Sequence, residues 1–293
     1  MICFLIFACV LLLSYVLFFP SLVLSYTMGA IDYPTSRKTH ILPTARAGGF
    51  SLYIAFSAFL LISSVNNDLK IPLFCGSTVI FLVGLFDDAR HLTPFQKLAG
   101  QFSAAAAYIM ISGGDNLAEN VLTLAWILYL SNAINLTDGL NGLAGGVCSG
   151  EALCLAVLAL IFGNTDVFLC SIMLLGAIIG FLPHNFPRAK IFMGDCGALF
   201  LGFTLATLSS KLVFESESIL CLLSTMLVFR LPTYDTNLSI IRRILKGKNP
   251  FKADKGHFHH RLLKHGFTKE CAALALVTAS LFLGLIGILI STL

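Results

Sequence analysis

The sequence predicts an all-α membrane protein with about ten transmembrane helices in a single domain. Of its 293 residues, 57% are hydrophobic and only 12% are charged, and the mean hydropathy is +0.88. A soluble domain carries about 25% charged residues, so this composition cannot supply a water-facing surface. Apolar runs of spanning length also recur along the whole chain, with short polar breaks between them.

The apolar runs predict the individual membrane helices. The first run has no charge before it and is too long for the core of a signal peptide, so we interpret it as a membrane helix. The other runs are bounded by polar residues, glycines or prolines, which end a spanning segment. In chain order, the runs cover residues 2–26, 48–65, 71–86, 97–113, 118–136, 143–163, 166–183, 197–214, 218–233 and 269–291.

The breaks between these runs alternate between very short and long, which predicts a two-sided topology. Ten crossings place every second break on the same face, so all long breaks share one face. The short breaks are residues 66–70, 114–117, 164–165 and 215–217. The long breaks are residues 27–47, 87–96, 137–142, 184–196 and 234–268.

The charges predict which face is cytoplasmic. Of the 19 Lys and Arg residues, all but Lys70 and Lys211 lie in or beside the long breaks. Loops rich in Lys and Arg remain on the cytoplasmic side, so the long breaks are predicted to be cytoplasmic and both termini to lie on the outer face. All seven histidines also fall on the cytoplasmic side, which indicates that the protein works there.

Two adjacent carboxylates, Asp87 and Asp88, form the first candidate site at the inner end of the third run. Such neighbours repel each other, and one of them binds a proton more tightly unless a cation lies between them. The alternative interpretation is an ordinary solvated helix end. Two adjacent aspartates with no other motif nearby would favour that alternative.

Polar residues at a spacing of three form the second candidate site, and they are Asn132, Asn135, Asp138 and Asn141. This spacing predicts that they share one helical face. Burying polar groups at membrane depth costs free energy unless they line a cavity. A functional role is therefore favoured over the alternative, a loop whose polar residues only cap helix ends.

The third candidate is the segment from Lys190 to Asp195, where the acid stands between two glycines just before an apolar helix. A structural role as the N-cap of the helix would explain Asp195, and that role is compatible with a functional one. The start of a helix also favours a bound phosphate, and a carboxylate there can hold Mg²⁺ against it.

The fourth candidate is the long inner loop, which carries Arg242, Arg243, His257, His259 and His260. The histidines permit a transition-metal site, but no cysteine lies near and the surrounding cations disfavour a metal. These residues fit better as hydrogen-bond donors to phosphate, or as partners for a nucleobase or a sugar, than as metal ligands. The nine cysteines contain no CxxC pair, and neither a disulfide nor a zinc site is expected.

Together these residues resemble the polyprenyl-phosphate N-acetylhexosamine-1-phosphate transferase superfamily, or glycosyltransferase family 4, over nearly the whole chain. That superfamily includes the phospho-N-acetylmuramoyl-pentapeptide transferase and the enzymes that begin O-antigen and teichoic acid linkage units. The matching segments, in order, are Ile31-Asp32-Tyr33-Pro34, Arg37-Lys38-Thr39-His40, residues 43–49, Asp87-Asp88, residues 135–139, Asn185-Phe186-Pro187, residues 192–195 and residues 257–260.

The resemblance implies a reaction and its participants. A polyprenyl phosphate, here undecaprenyl phosphate, accepts a sugar phosphate from a UDP-linked amino sugar with Mg²⁺, or Mn²⁺, as cofactor. The default sugar is N-acetylglucosamine, and the expected location is the bacterial inner membrane, with the active site facing the cytoplasm. No nucleic-acid partner is expected. The oligomeric state is open, with a homodimer among the alternatives.

The resemblance also implies roles for individual residues. Asp87 and Asp88 match the catalytic acids near the metal and the lipid phosphate, and Asp195 matches the direct Mg²⁺ ligand. The substrate-binding matches are Asn132, Asn135, Asp138, Asn141, Lys190, Arg242, Arg243, His257, His259 and His260. At Asn141 many family members carry an aspartate, whereas the amide here can form hydrogen bonds but contributes no charge.

Two alternatives stay open at the level of the sequence. The first is the muramoyl-pentapeptide transferase, although Phe258 interrupts the histidine run that is continuous in that branch. The second is an ion-coupled transporter, which would need ionisable groups at mid-membrane in several helices. Only Glu151 lies clearly inside a predicted span, so an enzyme that works at the membrane interface is favoured.

Overall fold

The computed structural model describes residues 2–34, 43–247 and 256–293. These residues are almost entirely helical, which confirms the predicted fold class. In chain order the elements are α1 (Ile2–Val16), α2 (Phe18–Met28), β1 (Ile31–Asp32), β2 (Thr44–Ala45), α3 (Gly49–Ile62), α4 (Asn67–Arg90), α5 (Pro94–Ser112), α6 (Leu117–Thr137), α7 (Leu143–Ile161), α8 (Thr165–Asn185), α9 (Gly194–Ser216), α10 (Ile219–Val228), α11 (Arg230–Leu245), α12 (Phe258–Lys264) and α13 (Lys269–Ser291). The motif Arg37-Lys38-Thr39-His40 lies outside the described residues.

The helices agree with the ten predicted spans to different degrees. Among the described residues, six helices are long and apolar enough to cross a bilayer, and the bent pair α1–α2 makes a seventh span when taken as one. The other three predicted spans correspond to α3 and α10, which have 14 and 10 residues, and to α5. The protein is therefore a multi-pass membrane protein, and the full count of ten crossings stays a prediction.

The first predicted span is one apolar run but two helices. The chain bends by 40° between α1 and α2. Pro20 lies one turn after the break, and a proline has no N–H to continue the hydrogen-bond ladder of a helix. The prediction of a single helix at residues 2–26 was therefore wrong in this detail.

The ninth predicted span, residues 218–233, is also interrupted. Helix α10 ends at Val228, and α11 begins at Arg230 and continues to Leu245. Pro232 occupies the first turn of α11, where its missing N–H would have no helical partner. Much of the predicted loop 234–268 is accordingly helical, in α11 and in the short helix α12.

Helix α9 lies at the centre of the bundle, where it packs against α3, α4 and α6. A glycine permits the closest approach, because a side chain at Gly84 of α4 would clash with the backbone of Asp195 and Cys196. This contact brings the end of α4 against the start of α9. The two predicted acidic sites therefore meet at one end of the bundle.

A small antiparallel hairpin covers this end of the bundle. Its strands pair Ile31 with Ala45 and Asp32 with Thr44. Ala45 also forms a parallel bridge with Ile191, just before α9. These bonds hold the first long break against the fourth, so two segments that are distant in sequence form one surface.

The predicted topology is testable by labelling single cysteines in a background that lacks the nine native ones. We expect exposed cysteines at Asn67 and Asp115 to react with an impermeant thiol reagent added outside the cell, because both lie in short breaks. Cysteines at Arg188 and Lys246 should react only after the membrane is opened. Labelling of all four positions from outside would contradict the ten-span topology.

Candidate active site

A polar cavity of about 340 Å³ opens at the end of the bundle where α4 and α9 meet. It combines carboxylates, amides and cations with the backbone of two glycine-containing turns. The lining residues are Asp32, Arg46, Asn135, Asp138, Gly139, Leu140, Asn141, Asn185, Phe192, Met193, Gly194, Asp195 and His260.

The start of α9 gives Asp195 its position. Gly194, the first residue of the helix, has a φ of +73°, a conformation that favours glycine. A side chain at Gly194 would also clash with the carbonyl oxygen of Arg46. The chain therefore turns sharply into α9 and presents the Asp195 carboxylate to the cavity.

Asp88 holds this turn in place. Its carboxylate accepts hydrogen bonds from the backbone N–H groups of Asp195 and Cys196, both at 2.9 Å. It also pairs with the Arg46 guanidinium at 3.2 Å, and its side chain is fully buried. The buried charge is thus satisfied from three directions, and Asp88 ties α4 to α9.

Lys97, on α5, connects the remaining acidic groups. Its ammonium lies 3.0 Å from Oδ2 of Asp87 and makes a very close ion pair with Asp195. It also lies 3.4 Å from Oδ1 of Asn135, whose amide donates to Asp195 at 3.1 Å. Asp195 therefore sits where helices α4, α5, α6 and α9 converge.

The cluster carries an excess of negative charge. Asp87, Asp88 and Asp195 face the cations Arg46 and Lys97 among the described residues. Burial opposes the charge of Arg46, but Asp88 and Asp195 outweigh it and raise its pKa above the usual value, so the guanidinium stays protonated. An acidic cluster with fixed cations suits a diphosphate bound through a metal ion.

The predicted row of four polar residues is divided in the structure. Asn135, Asp138 and Asn141 line the cavity, whereas Asn132 pairs with Gln101 and does not line it. The prediction of a single helical face was wrong, because α6 ends at Thr137. The glycines that follow allow the chain to turn, and the Asn141 amide donates to the carbonyl of Pro187 at 3.2 Å.

Three predicted cationic residues do not line the cavity. Lys190 is exposed, and its backbone N–H donates to the carbonyl of His184. The Arg242 guanidinium lies against Gly256, and Arg243 is buried in α11. Their predicted contact with substrate stays a prediction.

The histidine motif contributes one residue directly to the cavity. His260 lines it, while His257 is buried and bonded through Nδ1 to Asp235 at 2.9 Å. His259 packs against Gly139, and burial, together with the charges of His260 and His257, lowers its pKa to about 4. His259 is therefore neutral near pH 7, and His257 and His259 support the wall of the cavity.

Three of the residues that build the site have no role predicted from the sequence. Arg46 and Asp32 lie inside the matching motifs, and Lys97 is the first residue of the predicted span 97–113. The available signal for Lys97 was a single lysine one turn into an apolar helix that begins with a Thr93–Gln96 capping box. A lysine at the end of a membrane helix is ordinarily explained by a side chain that reaches the interface, so this signal alone does not identify Lys97 as a site residue.

The chain is similar to known proteins over most of its length. Residues 71–213 match the family described as glycosyl transferase family 4, a range that includes Asp87, Asp88 and Asp195. A decaprenyl-phosphate N-acetylglucosaminephosphotransferase of Mycolicibacterium smegmatis is 35% identical over 86% of this chain and 73% of its own length.

Two further relatives span both branches of the resemblance. A probable undecaprenyl-phosphate N-acetylglucosaminyl 1-phosphate transferase of Bacillus subtilis is 34% identical over 85% of this chain and 74% of its own. A phospho-N-acetylmuramoyl-pentapeptide-transferase of Staphylococcus saprophyticus is 32% identical, over 84% of each chain. The chain belongs to glycosyl transferase family 4 and is a membrane-embedded sugar-phosphate transferase of the polyprenyl-phosphate N-acetylhexosamine-1-phosphate transferase superfamily.

Proposed function

We propose that the protein transfers N-acetylhexosamine 1-phosphate, by default N-acetylglucosamine 1-phosphate, from a UDP-sugar to undecaprenyl phosphate. The reaction releases UMP and begins a cell-surface polysaccharide at the cytoplasmic face of a bacterial inner membrane. The observation that carries the proposal is the acid–cation cluster around Asp195, which opens into a polar cavity at the end of a membrane bundle. The names of the Mycolicibacterium smegmatis and Bacillus subtilis relatives support both the amino sugar and the polyprenyl acceptor.

The reaction joins two anions, which defines what the site must supply. A phosphate oxygen of the acceptor lipid attacks the β-phosphorus of the UDP-sugar. The bond from that phosphorus to the bridging oxygen breaks, and the electron pair leaves with UMP. The acceptor is a phosphate monoester with a second pKa near 6, so it is largely dianionic in the cytosol and needs little base catalysis. Charge neutralisation and alignment are therefore the main requirements.

The chain's own cations meet part of this requirement. Arg46 lines the cavity and pairs with Asp195 at 3.2 Å, and Lys97 bridges Asp87 and Asp195. Both are fixed by several partners, so they need little reorganisation when charge shifts towards the leaving group. His260 also lines the cavity.

The donor set fits Mg²⁺. Within the described ranges, no three His, Cys, Asp or Glu side chains lie together as a preformed metal cluster. Mg²⁺ commonly takes only one or two protein carboxylates and fills its other positions with water and substrate phosphate. Asp195 would hold it, with Asn135 and Asp138 nearby on the cavity wall. The bound ion would neutralise the diphosphate and stabilise the departing UMP.

The two adjacent aspartates differ in their partners, which supports different roles. Both oxygens of Asp88 accept backbone hydrogen bonds, so Asp88 is suited to positioning Asp195. Among the described residues, Asp87 accepts one backbone hydrogen bond, from Leu92 at 2.8 Å, and pairs with Lys97. Asp87 is therefore the better candidate to contact the acceptor phosphate. A covalent aspartyl intermediate is the alternative to direct transfer.

The histidine motif favours a donor without a peptide. Phe258 interrupts the run, and its backbone N–H donates to Asp235 at 2.9 Å, the carboxylate that also holds His257. The wall beside the cavity is thereby fixed, and a rigid pocket rejects a bulky substituent by steric clash.

The test compares two donors side by side with undecaprenyl phosphate in one detergent. We expect UMP release and a lipid-linked product from UDP-N-acetylglucosamine, and no detectable transfer from UDP-muramoyl-pentapeptide. Thin-layer chromatography of the lipid products, with further UDP-amino sugars in parallel, identifies the sugar. Faster turnover of the pentapeptide donor would place the protein in the peptidoglycan branch. Failure of every UDP-sugar would refute the proposed donor class.

A further inference from the structure

The bend in the first membrane span is held by a histidine from another helix. His184, near the end of α8, lies 3.1 Å through Nε2 from the backbone carbonyl oxygen of Tyr15, at the end of α1. A carbonyl oxygen only accepts hydrogen bonds, so Nε2 carries the proton. A carbonyl at a helix break needs a donor, and His184 supplies one from outside the helix.

Aromatic contacts fix the orientation of the His184 ring. The ring stacks on Phe18 with a centroid distance of 4.1 Å and an angle of 8° between the planes, and the Tyr15 ring lies 4.6 Å away. The residue is only 6% exposed. These contacts hold the imidazole in the orientation that the Tyr15 hydrogen bond requires.

The rest of the α8 surface brings α1 close enough for this contact. Gly176 and Gly180 precede His184 at intervals of four residues, so the three share one helix face. A side chain at Gly176 would lie 2.9 Å from the Phe7 carbonyl oxygen, and one at Gly180 would clash with that of Leu11. Small residues at this spacing allow helix backbones to approach closely in a membrane.

The next residue in the chain, Asn185, connects two walls of the cavity. The side chain of Asn185 accepts from the N–H of Gly142 at 2.7 Å and donates to the carbonyl of Ile191 at 2.9 Å. The His184 carbonyl also accepts from the N–H of Lys190 at 2.8 Å. The turns on both sides of the cavity are thus bonded to the end of α8.

We propose that His184 is a positioning residue: its contact with the α1–α2 bend fixes the end of α8. Through the adjacent Asn185, the end of α8 then fixes the two turns that form the donor pocket. Asp195 is anchored separately, by Asp88 and Arg46, so His184 affects donor binding rather than the transfer step. The kinetic part of this inference rests on the proposed function. The structural part concerns only the Gly142–Asn185 hydrogen bond.

The first measurement is hydrogen exchange of residues 138–142 without substrate. His184→Phe keeps an aromatic ring against Phe18 and removes the donor to Tyr15. We expect exchange at Gly142 to become about five- to tenfold faster, the range that loss of one hydrogen bond of about 1 kcal/mol allows. The matched control is Ser14→Ala, which removes the other α1–α8 hydrogen bond, 2.7 Å to the Ala177 carbonyl. It should leave exchange at Gly142 unchanged.

The second measurement is steady-state kinetics of the same variants. In His184→Phe, KM for the UDP-sugar should rise about five- to tenfold, while kcat stays within about twofold. His184→Gln restores an N–H donor and should reverse part of the increase in KM. Ser14→Ala should leave KM at the wild-type value. A merely structural role would lower the active fraction, and thus kcat, without moving KM.

The outcomes separate this inference from the proposed function. Unchanged exchange at Gly142 in His184→Phe would overturn the inference, whatever the enzyme's substrate. An equal change in Ser14→Ala would overturn it as well, because any weakening of the α1–α8 contact would then suffice. Faster exchange confined to His184→Phe, with no turnover of UDP-sugars by the wild type, would support the inference and refute the proposed donor.

Discussion

Replacing Asp195 by asparagine is expected to lower turnover by at least about a thousandfold, the scale on which charge-stabilising groups act in phosphoryl transfer. The carboxylate is the point where Arg46, Lys97 and Asn135 converge, and it faces the cavity. The amide keeps the size of the side chain and loses the charge that would hold Mg²⁺. The measurement is UMP release by purified protein at saturating donor and acceptor.

A matched control separates chemistry from folding. Asp166→Asn makes the same change in the first turn of α8, where the carboxylate lies far along the chain from the cluster and accepts a hydrogen bond from the backbone N–H of Asn66 at 3.3 Å. That variant should keep near-normal turnover, and both variants should elute as monodisperse protein in detergent. Wild-type turnover should also be lost with a chelator and return with Mg²⁺ or Mn²⁺. Near-normal activity of Asp195→Asn at ordinary Mg²⁺ would remove this residue from the proposed metal site.

The sequence predicted the helices well because burial in lipid and burial in protein both require apolar residues. Every predicted apolar run overlaps a helix of the structure. The ends were less accurate, since a helix can continue past the membrane boundary into polar residues. Helix α4 reaches Arg90 and carries Asp87 and Asp88 on its last turns, where the sequence indicated a loop.

The breaks inside apolar runs were missed because hydropathy does not register them. Pro20 and Pro232 lie in runs that are otherwise apolar, and a proline is itself compatible with a membrane helix when neighbouring groups satisfy the freed carbonyl. Pro20 leaves the carbonyl of Val16 without its helical donor, and the neighbouring carbonyl of Tyr15 is bonded to His184, which is distant in sequence. The bend is therefore a property of a tertiary contact that no single run displays.

The site residues that belong to sequence motifs were predicted. Those that reach the site only through tertiary contacts were missed. Asp195, Asn135 and Asp138 lie at the cavity, as their pattern indicated. Lys97 has no local pattern of its own, and its role depends on the convergence of α4, α5, α6 and α9. Asn132 shows the opposite error, because periodicity placed it in the site while its partner Gln101 holds it elsewhere.

Lys97→Met is the second change for which we expect a large effect, a loss of turnover of about a hundredfold or more. The lysine is the one described residue that contacts Asp87, Asp195 and Asn135 together. Without it, the poorly exposed carboxylates of Asp87 and Asp195 face each other, and of these two Arg46 is paired with Asp195. Removing one member of a buried ion pair costs about 3–5 kcal/mol, so the melting temperature in detergent should fall as well.

A double variant distinguishes the electrostatic role of Lys97 from its packing. In Asp87→Asn with Lys97→Met, one of the two opposing carboxylates is neutral, so the melting temperature should recover part of its loss. Turnover should stay low, because neither the fixed cation nor the Asp87 carboxylate is restored. Lys97→Arg keeps the charge and should retain more stability than Lys97→Met. If Lys97→Met and the double variant melt at the same temperature, then the Asp87–Lys97 pair contributes little, and the effect of Lys97 must arise through Asp195 alone.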